Sequence, residues 1–539
     1  MHGHMSKRRT ASLLVALALT AAACGGNKVN NVTGPAETTT SVATRSDANA
    51  VTGGEMNIGI EARPKTLDVI TASAVNTSSW QYVSDSIYDS LVGRSPVDGK
   101  IENRLAEKIV NSADFKTWTI TLRKGITFSD GSPLNAQVVV DNFKFRADPK
   151  NNCPCIANWT PIHPTVVDEM TVQLVLDQPN AHLPDPRLLA PIMAESLLTP
   201  TADRDRKPIG TGPFRLVDRD QLIVEKNPNY WRTDDRGRKL PFLDRIKFVP
   251  IEDGTVRVQA LLKGELDMLE AYDGATITAA QKESSVTTSI SPGAGSTVAI
   301  LNSTKAPFND PDARLAVAEA VSREALAQSL PTGGAQPTYS FLGEGSPYKI
   351  TGTFPKYDPE AAKKLTAKIL AAKGKNALDF SLVCVKIPDA EALMPVVINQ
   401  LKAAGFNPTL RMLDIGEYAQ TMLNGNKDFN LACTRATSFA ADPSGIATFV
   451  RSDGTVNVAG YNNPEMDKLF DQDKLTIDPA ERVKIYQKVN DLVIRDLPYI
   501  PLLVNTAAIV TRSVTHGLSA LDADWAAHVD TAWLWKAKG

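Results

Sequence analysis

The chain has 539 residues, enough for two or three domains, and its 43% hydrophobic and 22% charged residues are ordinary for a globular protein. The formal net charge of −2 argues against a nucleic-acid partner, because such binding requires a basic face. These totals favour a globular protein of more than one domain.

The first thirty residues have the features of an export signal. Lys7, Arg8 and Arg9 precede an apolar run over residues 11–23, which ends at Cys24. The run is shorter than the roughly 20 apolar residues that a membrane span requires, so it predicts a secretory signal peptide. Since no later apolar run approaches that length, the sequence predicts no transmembrane segment in the rest of the chain.

The end of this run, Ala21-Ala-Ala-Cys24, resembles a bacterial lipobox, in which the cysteine is lipidated and becomes the mature N-terminus. The resemblance implies that residues 1–23 are removed and that Cys24 anchors the protein outside the cytoplasmic membrane. The alternative is a secreted protein with a cysteine here by chance. Residues 25–54 are rich in Gly, Asn, Thr, Ser and Ala, so the stretch 24–54 is interpreted as a lipidated cysteine and a flexible tether.

In the first half of the chain, short strands predominate. The alternation of apolar and polar residues over Trp118-Thr-Ile-Thr-Leu122 is typical of a half-buried strand. The region 150–205 is rich in proline and contains one clear strand, at 171–176. The other predicted elements are strands at 56–60, 214–217, 222–225 and 245–249, and helices at 83–91, 133–145 and 256–263.

The stretch 358–435 has a different character, because helices and strands alternate there with short connections. Such alternation predicts a parallel sheet covered by helices. The predicted helices are 358–373, 389–404 and 415–423, and the predicted strands are 379–385, 408–413 and 428–434. Two further helices, at 464–474 and 479–495, precede a strand at 499–504.

Four cysteines follow Cys24, and an even number in an exported chain makes disulfides plausible. Cys384 and Cys433 both lie in strand-like runs of one predicted lobe, and they form a possible pair. A disulfide between Cys153 and Cys155, which are separated only by Pro154, closes a strained ring. Together with His163, those two cysteines match no standard zinc spacing, so no metal site is predicted.

Five segments of the chain, in this order, resemble the family 5 extracellular solute-binding proteins, the oligopeptide-, dipeptide- and nickel-binding components of ABC importers. The longest runs from Phe115 to Ala136 and includes Phe-Ser-Asp-Gly-Ser-Pro-Leu-Asn-Ala. The others are Gly210-Thr-Gly-Pro-Phe214 with Asn227-Pro-Asn-Tyr-Trp231, Leu262-Lys-Gly-Glu-Leu-Asp267, Pro307-Phe-Asn-Asp310 followed by Arg314 and Ala320-Val-Ser-Arg323, and Tyr461-Asn-Asn-Pro-Glu-Met-Asp467. The resemblance extends over residues 55–510.

The resemblance implies an α/β fold of the periplasmic-binding-protein type II kind, with two hinge-linked lobes and an extra inserted domain. It implies a monomer whose lobes close over a ligand, after which the membrane permease takes the ligand from the closed form. The implied domains are a discontinuous domain I at 51–88, 205–298 and 515–539, an inserted domain II at 89–204, and domain III at 299–514.

In peptide-binding members of this family, an acidic residue pairs with the α-ammonium group of the peptide, after an Arg-containing strand and an aromatic residue. The matching stretch here assigns Asp442 as that carboxylate, Phe439 as the aromatic neighbour and Arg435 as a cation beside the cleft. One acid at this place is physically sensible, because a buried ammonium is costly unless it is paired.

The stretch departs from the family pattern, which usually has two acidic positions where this chain has only Asp442. If Asp442 corresponds to the second position, Phe439 occupies the ammonium site. A sugar conjugate, a blocked peptide or an anion held by Arg435 then becomes the better ligand. A further alternative is that Asp442 only caps a turn before Pro443.

On the other side of the cleft, residues 76–80 follow the first strand, where family members contact their ligands. Ser79 and Trp80 are therefore candidate ligand contacts, and Trp80 offers a flat apolar wall with one N–H donor. Packing of Trp80 within its own helix is the alternative. Tyr461 is a further candidate.

The sequence thus predicts a lipid-anchored, extracytoplasmic substrate-binding protein of an ABC importer for peptides or peptide-like solutes. Its predicted partners are a small-molecule ligand, a permease and, through the lipid, the membrane. The alternatives are an envelope regulatory or scaffold lipoprotein on the same fold, or a receptor for a non-peptide solute.

An enzyme is not predicted. None of the histidines after the signal peptide lies in a His-Glu-x-x-His motif, and no Gly-x-Ser-x-Gly or phosphate-binding Gly-Lys-Ser/Thr motif is present. No cofactor is predicted.

Overall fold

The computed structural model describes residues 47–71, 78–94, 100–154, 156–185, 189, 191–330, 335–342, 348, 350–423, 427–436, 443–454, 456–518 and 529–537. The predicted signal peptide, Cys24 and most of the tether lie outside the described residues. In the part that is described, no helix is both long and apolar enough to cross a membrane.

The first part of the chain forms eleven strands and five helices within the described residues. The strands are β1 (Glu55–Ile60), β2 (Val92–Arg94), β3 (Ile101–Asn103), β4 (Ala106–Asn111), β5 (Thr117–Leu122), β6 (Ile162–Asp168), β7 (Thr171–Leu176), β8 (Phe214–Asp218), β9 (Ile223–Lys226), β10 (Arg245–Pro250) and β11 (Met268–Ala271). The helices are α1 (Ser78–Ile87), α2 (Ala136–Ala147), α3 (Ile156–Trp159), α4 (Gly254–Leu262) and α5 (Gly274–Gln281).

The second part begins with the long strand β12 (Val286–Leu301). Its helices are α6 (Pro311–Ala320), α7 (Arg323–Ser329), α8 (Pro359–Lys373), α9 (Pro388–Ala403), α10 (Ile415–Leu423), α11 (Ala447–Val450), α12 (Pro464–Asp473) and α13 (Pro479–Asp496). Its strands are β13 (Ala335–Pro337), β14 (Leu378–Val385), β15 (Phe406–Leu413), β16 (Leu431–Ala436), β17 (Tyr499–Arg512), β18 (Thr515–His516) and β19 (Trp535–Lys536).

Local sequence explains where several of these helices begin. Asn135 caps α2 by accepting the backbone N–H of Val138, which has no partner inside the helix. Asp310 and Asp478 cap α6 and α13 in the same way, and each is followed by a proline in the first helical turn. Proline is well suited to that position, because its fixed φ fits the helix and its missing N–H is not needed.

Most strands belong to one large mixed sheet, whose order within the described residues is β15-β14-β16-β12-β17-β11-β1-β10-β9-β8, with β13 beside β17. The antiparallel pair β12 and β17 lies in the middle, and we call these two the crossing strands. On one side of them, β11, β1 and β10 are parallel; on the other, β16, β14 and β15 are parallel. A separate antiparallel sheet has the order β4-β5-β7-β6.

The two largest of the four hydrophobic cores in the described residues lie on either side of the crossing strands. The first core includes residues of β1, β5, α2 and β7, and the second core includes residues of α6, β14, α9 and α13. We call the elements around the first core (β1–β11 and α1–α5) the first lobe, and those around the second core (β13–β16 and α6–α13) the second lobe. The crossing strands run through both lobes and contribute residues to both.

The structure differs from the sequence-based element predictions in several places. The first helix lies at Ser78–Ile87 rather than 83–91, and the proline-rich region contains a second strand, Ile162–Asp168. The strand predicted to end at residue 504 continues to Arg512, and the sixteen-residue β12 was not predicted. Pro292, Gly293 and Gly295 interrupt its strand pattern, and a register shift after Pro292 accommodates them.

The predicted domain boundaries stay a prediction. The boundary between residues 298 and 299 lies inside β12, so the backbone continues there without a break in secondary structure.

Candidate functional site

The carboxyl ends of the two parallel strand groups converge on the middle of the crossing strands. Ala271, at the end of β11, lies opposite Ala508 of β17, and β11 points from there toward residue 504. Ala436, at the end of β16, lies opposite Ser296 of β12, which pairs with Val504. The two ends are therefore about 13 Å apart along β17, at about 3.3 Å per residue. We call the region around these two strand ends, where β13 also pairs with residues 503–505 of β17, the crevice, because open α/β sheets bind ligands outside the carboxyl ends of their parallel strands.

Buried polar side chains of the crossing strands lie at the crevice. Thr297 donates its hydroxyl hydrogen to Oδ1 of Asn505 at 3.1 Å. The side-chain NH₂ group of Asn505 is buried, and no described residue accepts a hydrogen bond from it. Since a buried donor without a partner is costly, this group is suited to an acceptor on a ligand. The sequence analysis missed Asn505, although an asparagine within the apolar run Leu502-Leu-Val-Asn-Thr-Ala507 was a usable signal.

At the first-lobe edge of the crevice, Ser79 and Trp80 lie in the first turn of α1 and are both buried. The Ser79 hydroxyl donates to the carboxylate of Glu270 and accepts the backbone N–H of Ala62 at 3.2 Å. Trp80 packs in the first core. Ligand contact by either residue stays a prediction, and the hydroxyl of Ser79 is already occupied within the protein.

Glu270, in β11, was not identified from the sequence. Its side chain is fully buried, and its Oε1 accepts the backbone N–H of Glu61 at 2.7 Å as well as the Ser79 hydroxyl. Burial raises the pKa of Glu270 to about 7, although both hydrogen bonds and the charge of Arg257 lower it. A fully buried acid with a shifted pKa at the end of a parallel strand is a candidate functional group.

At the second-lobe edge, Arg435 lies in β16 with its backbone opposite Thr297, which places this residue at the crevice. Phe439 and Asp442 lie outside the described residues. In the sequence they follow the carboxyl end of β16 directly. Their predicted contacts with a ligand stay predictions.

Tyr461 is not brought together with the other candidates. It is buried in the second core, and its hydroxyl donates to Asp496 at 2.6 Å and accepts from Asn463 at 2.9 Å. Burial and the neighbouring Asp496 raise the pKa of Tyr461. These contacts join the start of α12 to the end of α13, and the predicted ligand role of Tyr461 stays untested.

Cys384 and Cys433 lie opposite each other in the adjacent parallel strands β14 and β16. Their Cα atoms are 4.9 Å apart, and the structure joins their sulfur atoms as a disulfide. Such a bond ties the strand that carries Arg435 to the middle of the second-lobe sheet.

Several proteins with known ligands resemble this chain. The glutathione-binding protein GsiB of Shigella flexneri is 28% identical over 448 residues, which are 80% of this chain and 85% of that protein. The oligopeptide-binding protein AppA of Bacillus subtilis, solved with a nonapeptide, has a TM-score of 0.76 at 20% identity and covers 91% of this chain and 100% of its own. AgaA of A. tumefaciens R10, solved with agropinic acid, has a TM-score of 0.76 at 23% identity and covers 90% of this chain and 99% of its own. At these identities, the two structures establish a shared fold.

The sequence model of the bacterial extracellular solute-binding proteins, family 5 middle region, matches residues 100–457, which is more than half of the chain. The predicted family and the mixed α/β fold are thereby confirmed. Members of this family are extracytoplasmic proteins that bind small molecules and deliver them to ABC permeases. The chain belongs to family 5 of the bacterial extracellular solute-binding proteins and is the substrate-binding component of an ABC importer.

Proposed function

We propose that this protein captures a peptide or peptide-like solute in the crevice and delivers it to its permease while a lipid on Cys24 holds it at the membrane. The observation that carries the proposal is the convergence of β11 and β16 on the crossing strands, next to a buried Asn505 amide for which no described residue is an acceptor. A carbonyl or carboxylate oxygen of a peptide is an acceptor suited to this NH₂ group.

Charged groups of the second lobe supply the specificity for a peptide. Asp442 pairs with the ligand ammonium group, Phe439 packs beside it, and Arg435 attracts a ligand carboxylate. Charge-assisted hydrogen bonds of this kind are roughly twice as strong as neutral ones. On the first lobe, Trp80 supplies apolar surface, and we infer that Ser79 acts indirectly, because its hydroxyl is bound to Glu270.

Capture proceeds by closure of the two lobes about the crossing strands. A ligand that contacts both lobes stabilises the closed form by its differential affinity for that form. The permease then recognises the closed protein. No covalent bond of the ligand is made or broken during capture or delivery.

Glutathione is the first ligand to test, because the 28% identical GsiB proteins are named for binding it. It is a peptide-like solute with an ammonium group and two carboxylates, and it matches the charges assigned to Asp442 and Arg435. An unrelated tripeptide with a free N-terminus is the comparison ligand.

The test is native mass spectrometry of the mature protein, followed by isothermal titration with both ligands. We expect a bound mass that is lost on denaturation, and at least tenfold weaker binding by Asn505→Leu. Asn407→Ala is the matched control, because Asn407 is an exposed asparagine of β15 that binds Asp379. A protein that carries no small molecule and gains no thermal stability from peptides or sugars contradicts the proposal and favours an envelope scaffold.

A further inference from the structure

Glu270 holds together the two ends of one connection. Glu61 follows directly after β1, and Ser79 lies in the first turn of α1, so these two residues lie at either end of the β1–α1 connection, of which residues 72–77 lie outside the described residues. The backbone N–H of Glu61 and the hydroxyl of Ser79 both donate to the same oxygen of the Glu270 carboxyl group. The N–H of Ala62 donates to Ser79 in turn. One side chain from β11 therefore joins the end of β1 to the first turn of α1.

This connection emerges at the carboxyl end of β1, which is the first-lobe edge of the crevice. β11 and β1 are parallel neighbours, with Ile58 opposite Met268 and Gly59 opposite Leu269. The carboxyl group of Glu270 thus lies where the connection leaves the sheet. A change in how it holds Glu61 and Ser79 therefore changes how the first turn of α1 is held against the end of β1.

No described cation forms an ion pair with the Glu270 carboxyl group. The nearby Arg257 uses Nε for the backbone carbonyl of Glu270 and Nη1 for the carbonyls of Ile251 and Glu252. Two other titratable residues interact electrostatically with Glu270. One is Glu61, whose own backbone N–H donates to the Glu270 carboxyl group, and the other is Tyr82 of α1. The second carboxyl oxygen, Oε2, is buried and has no hydrogen-bond partner among the described residues.

We propose that Glu270 is a positioning residue of the crevice, which in its protonated form clamps Glu61, at the end of β1, to Ser79, in the first turn of α1, and so sets the affinity for ligand. The link to ligand affinity rests on the proposed function, whereas the clamp itself does not. While the clamp is closed, the buried carboxyl group accepts two hydrogen bonds, and its neutral form avoids the cost of burying a charge. The ionised form is stabilised by water when the clamp opens, so ionisation favours opening.

The expected pH dependence follows from the raised pKa of Glu270, about 7 when the clamp is closed. An opened, hydrated Glu has an ordinary pKa of about 4.3. The closed clamp is therefore fully stabilised below that ordinary value, and its stabilisation is lost as the pH rises toward 7. Between pH 5 and pH 8, the opening equilibrium shifts toward the open clamp by up to about a hundredfold.

The experiment is hydrogen–deuterium exchange of the mature protein between pH 5 and pH 8, corrected for the intrinsic pH dependence of exchange. In the wild type, we expect the exchange of residues 61–80 to rise with pH by up to about a hundredfold. Glu270→Gln keeps a hydrogen-bond acceptor but cannot titrate, so in this variant the exchange of residues 61–80 stays slow at every pH. Glu265→Gln is the control, because Glu265 precedes β11, is exposed and makes the same change of charge.

Glu270→Ala removes the acceptor, and we expect fast exchange of the same residues at every pH. If that variant does not fold, Ser79→Ala removes one of the two donors and is expected to give part of the effect. The proposal is wrong if Glu270→Gln keeps the wild-type pH dependence. It is also wrong if neither truncation changes the exchange of residues 61–80.

Glutathione affinity, measured over the same pH range, separates the clamp from the proposed function. We expect the affinity of the wild type to fall as the pH rises and that of Glu270→Gln to stay level. If no variant binds glutathione or a tripeptide, the proposed function fails while the exchange data still decide the clamp. Binding that is pH-independent in the wild type, despite pH-dependent exchange, contradicts the role of the clamp in affinity.

Discussion

The imidazole Nε2 of His182 lies 3.0 Å from the backbone carbonyl oxygen of Asp473 and 3.6 Å from a carboxylate oxygen of the same residue. Beside it, the backbone N–H of Ala181 donates to the carbonyl of Lys474 at 2.7 Å. Asp473 is the last residue of α12 and Lys474 caps it, so both contacts reach carbonyls at the carboxyl end of this helix, where the carbonyl of Asp473 also accepts the N–H of Thr476. Because Leu183 packs in the first core and Phe470 in the second, this contact joins the two lobes away from the crossing strands.

Replacing His182 by Ala is expected to loosen this junction. The lost hydrogen bond is worth about 1 kcal/mol. Hydrogen exchange of residues 181–185 and of the end of α12 should rise about fivefold. His163→Ala is the matched control, because His163 forms an exposed pair with Asp177 within the first lobe and such pairs contribute little. Equal effects of the two variants contradict a junction between lobes.

Asp473 also stabilises the second lobe, since its carboxylate binds Nε of Arg482 and the hydroxyl of Tyr486, both at 2.8 Å. Burial alone would raise the pKa of Asp473, but hydrogen bonds from His182 and Arg482 outweigh it and hold the pKa below its usual value. The resulting stability is present above the usual carboxyl pKa of about 3.9 and is lost as the pH falls through the lowered value.

Asp473→Asn is therefore expected to lower the free energy of unfolding by about 3 kcal/mol at neutral pH, because it leaves Arg482 buried without its counter-ion. The difference from the wild type should shrink as the pH falls through the lowered pKa of Asp473. Urea unfolding over this pH range measures both effects. Asp471→Asn, two residues earlier in α12, is the control and should change stability little, because the Asp471 carboxylate that pairs with Arg451 is exposed. If Asp473→Asn lowers the free energy of unfolding by the same amount at every pH, the result is evidence against an ionised pair of Asp473 and Arg482.

The disulfide between Cys384 and Cys433 closes a loop of 49 residues. Loop-closure entropy for that length predicts about 4 kcal/mol of stabilisation, relative to the reduced chain. Peptide mapping of the protein isolated without reductant should recover the linked pair, and the double substitution by Ser should lower the midpoint of urea unfolding. Treatment of the wild type with a reductant should reproduce that loss. Recovery of both cysteines as free thiols in the exported protein is the contrary result.

The sequence predicted the second lobe better than the crevice for a physical reason. The helices and strands between residues 358 and 435 obey local rules, such as the apolar periodicity of α8 and the left-handed Gly374 that ends it. The crevice instead depends on register between distant strands, which places Ala271 opposite Ala508 and Ser296 opposite Val504. No local pattern encodes those pairings.

Glu270 and Asn505 illustrate the same limit. Each occupies one position in a buried strand, and its importance comes from what surrounds it after folding. Glu270 holds residues 61 and 79, which are about 200 positions away in the sequence. Residues such as Trp80 and Ser79 were found from the family pattern, but only the packing revealed that both are buried.

Cys24→Ala should release the protein from membranes without changing ligand affinity, since the lipid is the only membrane contact that the sequence predicts. Fractionation of cells that express the wild type and the variant, followed by titration with glutathione, tests both parts. A wild-type protein without a lipid mass on its first residue, or a variant that stays with the membrane, contradicts lipid anchoring.

Asp442→Ala should weaken the binding of a peptide with a free N-terminus by at least about 2 kcal/mol, the scale of a buried charge that loses its partner. The same peptide with an acetylated N-terminus is the matched control, and it should bind both forms of the protein equally. Isothermal titration of the two peptides with the two proteins gives all four affinities. If Asp442→Ala binds the free peptide as well as the wild type does, the ammonium role is excluded. Phe439 then occupies that position, and the anion site at Arg435 becomes the determinant of the ligand, so Arg435→Gln is expected to cause the larger loss.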